Sequence, residues 1–265
     1  MDIATVLAVN AAISAAVFLG LWRYAVAKQD PSFIDSWWGA GMALIAVLTF
    51  IQSERGPHAL ALTLLGAAWG LRLGYHLIRR WRREGPDRRY SRMMADAKET
   101  KGWSFAKASL IYVFSLQALL QFIVCLPVQV GQLAPSAALG PLAWAGVAVA
   151  IFGIVFETIG DAQLERFKAD PTKAGKVLDT GLWRYTRHPN YFGDACAWWG
   201  IYLVAAETGL PGALTIVGPI LLTFLLTRVS GVPTTEGSMR RKRPDYEAYV
   251  ARTSGFIPMP PKRGS

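Results

Sequence analysis

The densest run of chemically capable side chains lies between Gly181 and Trp199, in GLWRYTRHPNYFGDACAWW. It places Arg184, Tyr185, Arg187, His188, Asn190, Tyr191 and Asp194 in one short window, and an apolar run from Trp198 to Ala206 follows directly. Polar and ionisable groups at membrane depth are costly and are kept where they have partners or a task. Asp194, inside the run that opens an apolar segment, is therefore read as functional. Upstream, Asp161, Glu165 and Lys168 are spaced four and three apart, so on a helix they share one face. Lys176 follows, and a second cationic set, Arg240, Arg241, Lys242 and Arg243, lies in the tail with Arg228 at the end of an apolar run. Cations beside Asn190, Asp194 and aromatic rings suit a nucleotide with several phosphates. Arg and Lys would hold phosphates, with Arg able to do so bidentately. Asn190 and Asp194 would hold ribose hydroxyls or an amide, and Tyr185, Tyr191, Trp198 and Trp199 would line a planar ring. Neither Gly-x-Gly-x-x-Gly after a strand nor the P-loop pattern is present, so those two binding modes do not apply.

Composition describes what must hold these residues. Of the 265 residues 52% are hydrophobic and only 17% charged, against about 25% in soluble domains, which points to a membrane. The net charge of +10 sits in a few stretches beside apolar runs rather than along the chain. That placement argues against nucleic acid and for the cytoplasmic side of a membrane. The two cysteines, Cys125 and Cys196, lie in apolar runs and read as buried free thiols, not as a disulfide or a metal site. No Lys or Arg precedes the first apolar run, so it reads as a retained span rather than a signal peptide.

Seven apolar segments follow in order: Ile3 to Trp22, Pro31 to Gln52, Ala59 to Arg79, Ala106 to Val128, Pro141 to Gly160, Tyr191 to Ala206 and Pro211 to Val229. Asp30-Pro31 reads as an N-cap with proline at the first helical position of the second. A basic loop, Arg79 to Arg92, follows the third, a neutral linker, Gly131 to Leu139, the fourth, and a long polar connection, Asp161 to Pro189, the fifth. Segments of about 20 residues match a hydrocarbon core of about 30 Å. The fold class expected is therefore all-α, one integral membrane bundle of about seven transmembrane helices over residues 1–265, with its cofactor-binding part at about 157–261. Basic stretches after the first, third, fifth and seventh segments place the N-terminus outside and the C-terminus in the cytoplasm. The basic run Arg79 to Arg83 reads as a topology signal, and Trp22 and Trp144 as interfacial belt residues. Arg72 reads as a partner for Asp35 or Glu157, and Glu54 and His58 as a solvated turn on the opposite side.

Arg187-His188-Pro189-Asn190-Tyr191-Phe192-Gly193-Asp194, preceded by Gly-Leu-Trp and followed by Trp198-Trp199, resembles the C-terminal signature of the membrane sterol reductases and the steroid 5α-reductase family. Asp161, Gln163, Phe167 and Lys168, then Lys176, Leu178 and Gly181, are similar to the same pattern, as is the ending Asp245-Tyr246 with Phe256-Ile257-Pro258. The resemblance covers about Glu157 to Pro261. Asp35-Ser36-Trp37-Trp38-Gly39 and Asp87-Arg88-Arg89-Tyr90 resemble the bacterial branch of that superfamily.

The resemblance implies an NADPH-dependent reductase of an electron-poor C=C bond in a steroid-like lipid taken from the bilayer of a bacterial inner membrane, acting as a monomer. Its cofactor would meet Asp161, Lys168, Lys176, Arg184, His188, Asn190, Tyr191, Asp194 and Trp198, with Arg228, Arg241 and Tyr246 from the last span and the tail. Where 5α-reductases open span two with a Gln-Glu pair, this chain offers Asp35, and where they carry a span-three Tyr it has Trp69, with Tyr75 further along. Asp35, Tyr75 and Tyr90 are thus the candidate donors to the oxygen on which charge develops, and Trp38 and Trp69 fall to the substrate. Isoprenylcysteine and phospholipid methyltransferases carry a similar signature and use S-adenosylmethionine, which has no phosphates for these cations. A lipid-binding or transporter protein that inherited the fold is the non-enzymatic alternative.

Overall fold

A computed structural model describes residues 1–135, 138–229 and 231–262. It is helical throughout, at 79%, with no strand among the described residues. In chain order the helices are α1 (Ile3–Lys28), α2 (Ile34–Gln52), α3 (Pro57–Glu84), α4 (Arg88–Lys101), α5 (Phe105–Ser109), α6 (Leu116–Val124), α7 (Leu126–Gly131), α8 (Pro141–Ala169), α9 (Pro189–Ala206), α10 (Leu210–Ala213), α11 (Val217–Phe224), α12 (Val232–Lys242) and α13 (Tyr246–Arg252). A π-helical turn, Leu110–Ser115, joins α5 to α6. Among the described residues five segments are long and apolar enough to cross a membrane: Ile3–Lys28, Ile34–Gln52, Phe105–Val124, Pro141–Ala169 and Leu210–Lys242. Two of the seven expected segments, those of α3 and α9, fall outside that group. Helix α3 carries Arg72, Arg79, Arg80, Arg82 and Arg83, and the 18-residue α9 opens with Asn190 and Asp194.

The chain packs as two compact units. Unit one holds Met1–Ala143 and Val204–Gly218, and unit two holds Trp144–Leu203 with the chain from Pro219 onward. In unit one the closest pairing is α2 on α3, made by small residues. A Cβ on Gly39 would stand 2.5 Å from the Gly70 carbonyl oxygen, and one on Gly70 would overlap the carbonyl of Gly39. Backbones approach that closely only where side chains are absent, the usual solution between membrane helices. Buried amides tie α1, α2 and α7 together: Asn10 Nδ2 donates to Thr49 Oγ1 at 2.8 Å and Gln129 Oε1 at 3.1 Å, and Gln52 Nε2 donates to Asn10 Oδ1 at 3.0 Å. In unit two α8 and α9 meet in the same glycine manner. A Cβ on Gly193 would lie 2.5 Å from the Glu157 amide nitrogen, and one on Gly153 would lie 2.5 Å from the Gly193 carbonyl oxygen.

Several sequence expectations change. Helix α2 begins at Ile34, not Pro31, because Asp30 Oδ1 closes a local turn on Ser32, accepting from its N at 2.8 Å and its Oγ at 2.6 Å. Such side-chain turns compete with helix initiation. The expected basic loop is helical on both sides of a short bend. Helix α3 runs to Glu84, and α4 starts after Asp87, which accepts from Arg89 N at 2.8 Å. Tyr90, Met94 and Ala97, spaced four and three, pack on a core with Phe18, Ile34 and Phe114. The many arginines mask that apolar stripe in the sequence. The fourth span ends at Val124, and α7 restarts with Pro127, whose missing N–H interrupts the helix. His58 is buried rather than solvated. Its Nε2 lies 2.8 Å from Glu207 Oε1, and Glu207 also accepts from Gly140 N at 2.7 Å and Ala143 N at 2.9 Å, capping the start of α8. Arg263 of the basic tail, with Ser136 and Ala137 of the neutral linker, lies outside the described residues.

Candidate functional site

In unit two, α8 runs on past its apolar part to Ala169, so Asp161, Glu165 and Lys168 are helical as their spacing predicts. The connection that follows turns back on this helix. Leu182 N donates to Gln163 Oε1 at 2.9 Å, and Trp183 Nε1 donates to the Gly160 carbonyl at 3.1 Å. That return brings Pro189, the first residue of α9, beside Gly160. Asn190, next in line, donates its Nδ2 to Asp161 Oδ1 at 3.1 Å. Its Oδ1 is buried and takes no hydrogen bond from any described residue. Asp161 and Asp194 are both buried. Asp161 on α8 and Asn190 at the start of α9 are thus joined, with the buried Asp194 one turn further along α9. A net hydrogen bond to a charged group is worth about 1.5–3 kcal/mol, and a buried acceptor left unmade costs a similar amount. Hydroxyl or amide donors of a ligand fit such a set. Trp198, one turn beyond Asp194, is fully enclosed.

His188 and Arg187 have a different setting. His188 is 1% exposed, stacked on Tyr191 with ring centroids 5.3 Å apart and planes within 4°. Its Nε2 lies 3.1 Å from Glu236 Oε1, the same oxygen that accepts from Arg187 Nε at 2.8 Å. Arg187 also donates to the Thr253 carbonyl at 2.6 Å and the Val250 carbonyl at 3.4 Å. Tyr191 joins the same helix, α12, through Thr235 Oγ1 at 3.2 Å. Tyr246 and Tyr249 are buried behind this group, and Tyr249 donates to the Trp183 carbonyl. Burial first, and the Glu236 charge second, push the Tyr246 hydroxyl up to about 12, so it stays protonated. His188, Tyr191 and Tyr246, read from the sequence as cofactor contacts, are therefore also the residues that fasten α12 and α13 to the signature loop.

The long cations do not gather round one hollow. Lys168, Lys176, Arg184, Arg228 and Arg241 are exposed. Arg184 lines a cavity of about 370 Å³ with Asp179, Thr180, Gly181, Arg252 and Thr253. Arg166 and Lys173 line a neighbouring one of about 310 Å³, which shares Thr180 and Gly181. Arg241 Nη1 stands 3.7 Å from where a Cβ on Gly237 would lie, back along its own helix, and Arg243 Nη1 stands equally close to that point on Gly175, beside Lys176. Long charged side chains keep their heads in water unless a counter-charge draws them in.

In unit one the structure joins two of the three candidate donors. Tyr90 Oη donates to Asp35 Oδ1 at 2.6 Å, and Arg89 Nη2 lies 3.5 Å from Asp35 Oδ2. Of the two partners expected for Arg72, Asp35 is held by Tyr90 and Arg89. Burial first, then the Asp35 charge, raises the Tyr90 hydroxyl well above the ordinary tyrosine range. Gln117 Nε2 reaches Tyr90 Oη at 3.5 Å, and Gln121, one turn on, donates to the Trp38 carbonyl at 2.8 Å and the Trp37 carbonyl at 3.2 Å. Tyr75 is 63% exposed, with the Arg79 guanidinium 5.6 Å from its ring centroid, and Trp69 is fully enclosed in the helix packing. Two sets escaped the sequence reading. Gln117 and Gln121, four apart inside an apolar span, carried a usable signal. Glu236 sits four residues before Arg240 in a polar stretch and gave no sign of its partners in the loop.

Comparison with known proteins adds family but not activity. A profile described as "protein of unknown function (DUF1295)" matches residues 21–253. The chain is similar to the uncharacterised protein C594.04c of Schizosaccharomyces pombe, 25% identical over 272 residues that cover 90% of this chain and 75% of that protein. No solved structure matches it.

Proposed function

This chain belongs to DUF1295, a family of proteins of unknown function, and we propose that it is an NADPH-dependent reductase of an enone C=C bond in a steroid-like lipid. The reading takes α3 and α9 as membrane-crossing with the five more apolar segments, which makes seven spans in a bacterial inner membrane, N-terminus outside and C-terminus cytoplasmic. One observation carries it. Asn190 gives its amide N–H to the buried Asp161 and keeps a buried carbonyl oxygen with no donor from the described protein. A ribose hydroxyl or a carboxamide N–H would complete that oxygen. Asp161, Asn190 and Asp194 would hold such groups, and the exposed Lys168, Lys176 and Arg184 would have to fold in from solvent to meet phosphates. Bound NADPH would supply the hydride.

The chain's own contribution to the chemistry is assigned to Asp35 and Tyr90. Reduction of an enone leaves negative charge on the carbonyl oxygen, and a preorganised donor lowers the barrier to that charge. Tyr90 is the donor of choice: Asp35 holds its single O–H in the structure, and that O–H would turn from Asp35 to the substrate oxygen. Asp35 accepts from Tyr90 in the structure and so positions it, with Arg89 3.5 Å from its second oxygen. Trp38, whose carbonyl is fixed by Gln121, is the aromatic assigned to the lipid, whereas Trp69 is fully enclosed.

Thermal unfolding of the detergent-purified protein tests the reading. NADPH should raise the melting temperature and S-adenosylmethionine should not, and Asp194→Ala or Asn190→Ala should remove the NADPH effect from a protein that still inserts. The reverse ranking would assign methyl transfer, and no response to either would leave a lipid-binding protein.

A further inference from the structure

The last described stretch of unit two, from Thr253 to Lys262, has no helix and yet is fixed along its length. Arg187 N donates to the Ser254 carbonyl at 2.9 Å, Thr186 Oγ1 to the Phe256 carbonyl at 2.8 Å, Met259 N to the Tyr185 carbonyl at 2.9 Å and Lys262 N to the Arg252 carbonyl at 2.9 Å. Phe256 packs inward on Phe192, while Ile257 and Met259 stand 56% and 54% exposed. Pro258, Pro260 and Pro261 stiffen the strap and remove donors with which another strand could pair.

The inward ring shows which way the strap faces. Phe256 meets Phe192 edge-on at 5.9 Å, Phe192 meets Phe156 at 5.5 Å, and Phe156 meets Phe152 at 5.3 Å. Phe152 lies on the outer face of α8, a segment apolar and long enough to cross a membrane, where Ile151, Val155 and Ile159 are exposed as well. A column of rings therefore runs from an exposed apolar helix face to the strap. Its depth can be placed too. With Pro141 set at one face of the hydrocarbon core, twenty residues of α8 rise about 30 Å, the thickness of that core, and Gly160 falls at the other face. Trp183 bonds the Gly160 carbonyl, and the strap bonds Tyr185 two residues on. Ile257 and Met259 thus stand at the bilayer boundary, with the exposed cation Lys262 beside them.

We infer that the strap Phe256–Lys262 is a membrane-interface foot that seats Ile257 and Met259 among acyl chains and holds anionic phospholipid headgroups with Lys262. Apolar side chains flanked by cations are the composition that binds a negatively charged lipid surface. The inference is independent of the cofactor, because it uses only the span α8 and the exposed face of the strap.

The test places nitroxide labels on Ile257→Cys, Met259→Cys and, as control, Glu247→Cys, in a Cys125→Ala/Cys196→Ala protein reconstituted in vesicles of phosphatidylcholine and phosphatidylglycerol. The labels at 257 and 259 should collide with oxygen more than with a water-soluble nickel chelate, and the label at 247 should do the reverse. Preferential access to the chelate at 257 and 259 would overturn the inference. So would dipolar broadening between 257 labels at low protein density, since that would make a second copy the occupant. Native mass spectrometry from the same vesicles reads the headgroups. Lys262→Gln should lower phosphatidylglycerol retention relative to phosphatidylcholine about fivefold, the effect of one cation near an anionic surface. An unchanged ratio would overturn the anionic preference.

Discussion

Glu236 offers the sharpest test of how the signature loop is held. Its side chain is 12% exposed and serves both Arg187, at 2.8 Å, and His188, at 3.1 Å. Arg187 is itself only 13% exposed, so Glu236→Ala strands a guanidinium away from water. Breaking a buried pair by removing one partner costs about 3–5 kcal/mol. Arg187 keeps the Thr253 and Val250 carbonyls as acceptors, and the lower end of that range applies. A loss of about 3 kcal/mol in a chain of this size lowers the melting temperature by about 6–12 °C. Glu236→Gln retains an acceptor oxygen for one of the two donors and should lose about half as much. Differential scanning fluorimetry in detergent, followed by Trp emission, measures both variants. A Glu236→Ala protein that melts within about 2 °C of the parent would refute the reasoning, because a change below about 1 kcal/mol would mean that Glu236 does not hold the loop.

Other consequences are as direct. Gly193→Val sets a side chain where even a Cβ would lie 2.5 Å from the Glu157 backbone nitrogen, so it should abolish recovery of folded protein in a detergent-extraction assay, whereas Gly20→Val, with open space at its Cβ, should not. Tyr90 binds its proton more tightly folded than unfolded, so its contribution is intact below the ordinary tyrosine value of 10.0 and is lost as pH rises above it. Melting temperature should therefore fall in alkali, and less steeply in Tyr90→Phe. Glu207 behaves oppositely. Burial pulls its carboxyl upward, but the Ala143 and Gly140 N–H groups and His58 outweigh burial and hold it below 4.5. Its contribution is present above that pH and is lost as pH falls through the folded value, so Glu207→Gln should flatten the acid side of the melting profile.

The sequence was sufficient wherever a property is local or follows helical periodicity. Apolar runs of span length forced helices, because backbone groups in a bilayer must be satisfied within the segment. The spacing of Asp161, Glu165 and Lys168 places them on the continued α8, and the sequence marks Asp35 and Tyr90 individually as candidate donors. The short range of side-chain chemistry hid the rest. Tyr90 and Asp35 are 55 positions apart and bond only because the stripe Tyr90, Met94 and Ala97 folds α4 onto the core. His58 looked solvated because Glu207 lies 149 positions away, and its burial depends on a helix cap that only the packed unit supplies. Glu236 was invisible because nothing near it in the chain needs a carboxylate. Its role exists only once the tail folds back and presents it to Arg187 and His188. Residue types and periods are written in the chain, whereas the partner of a buried charge is chosen by tertiary packing, which brings remote segments within hydrogen-bond reach.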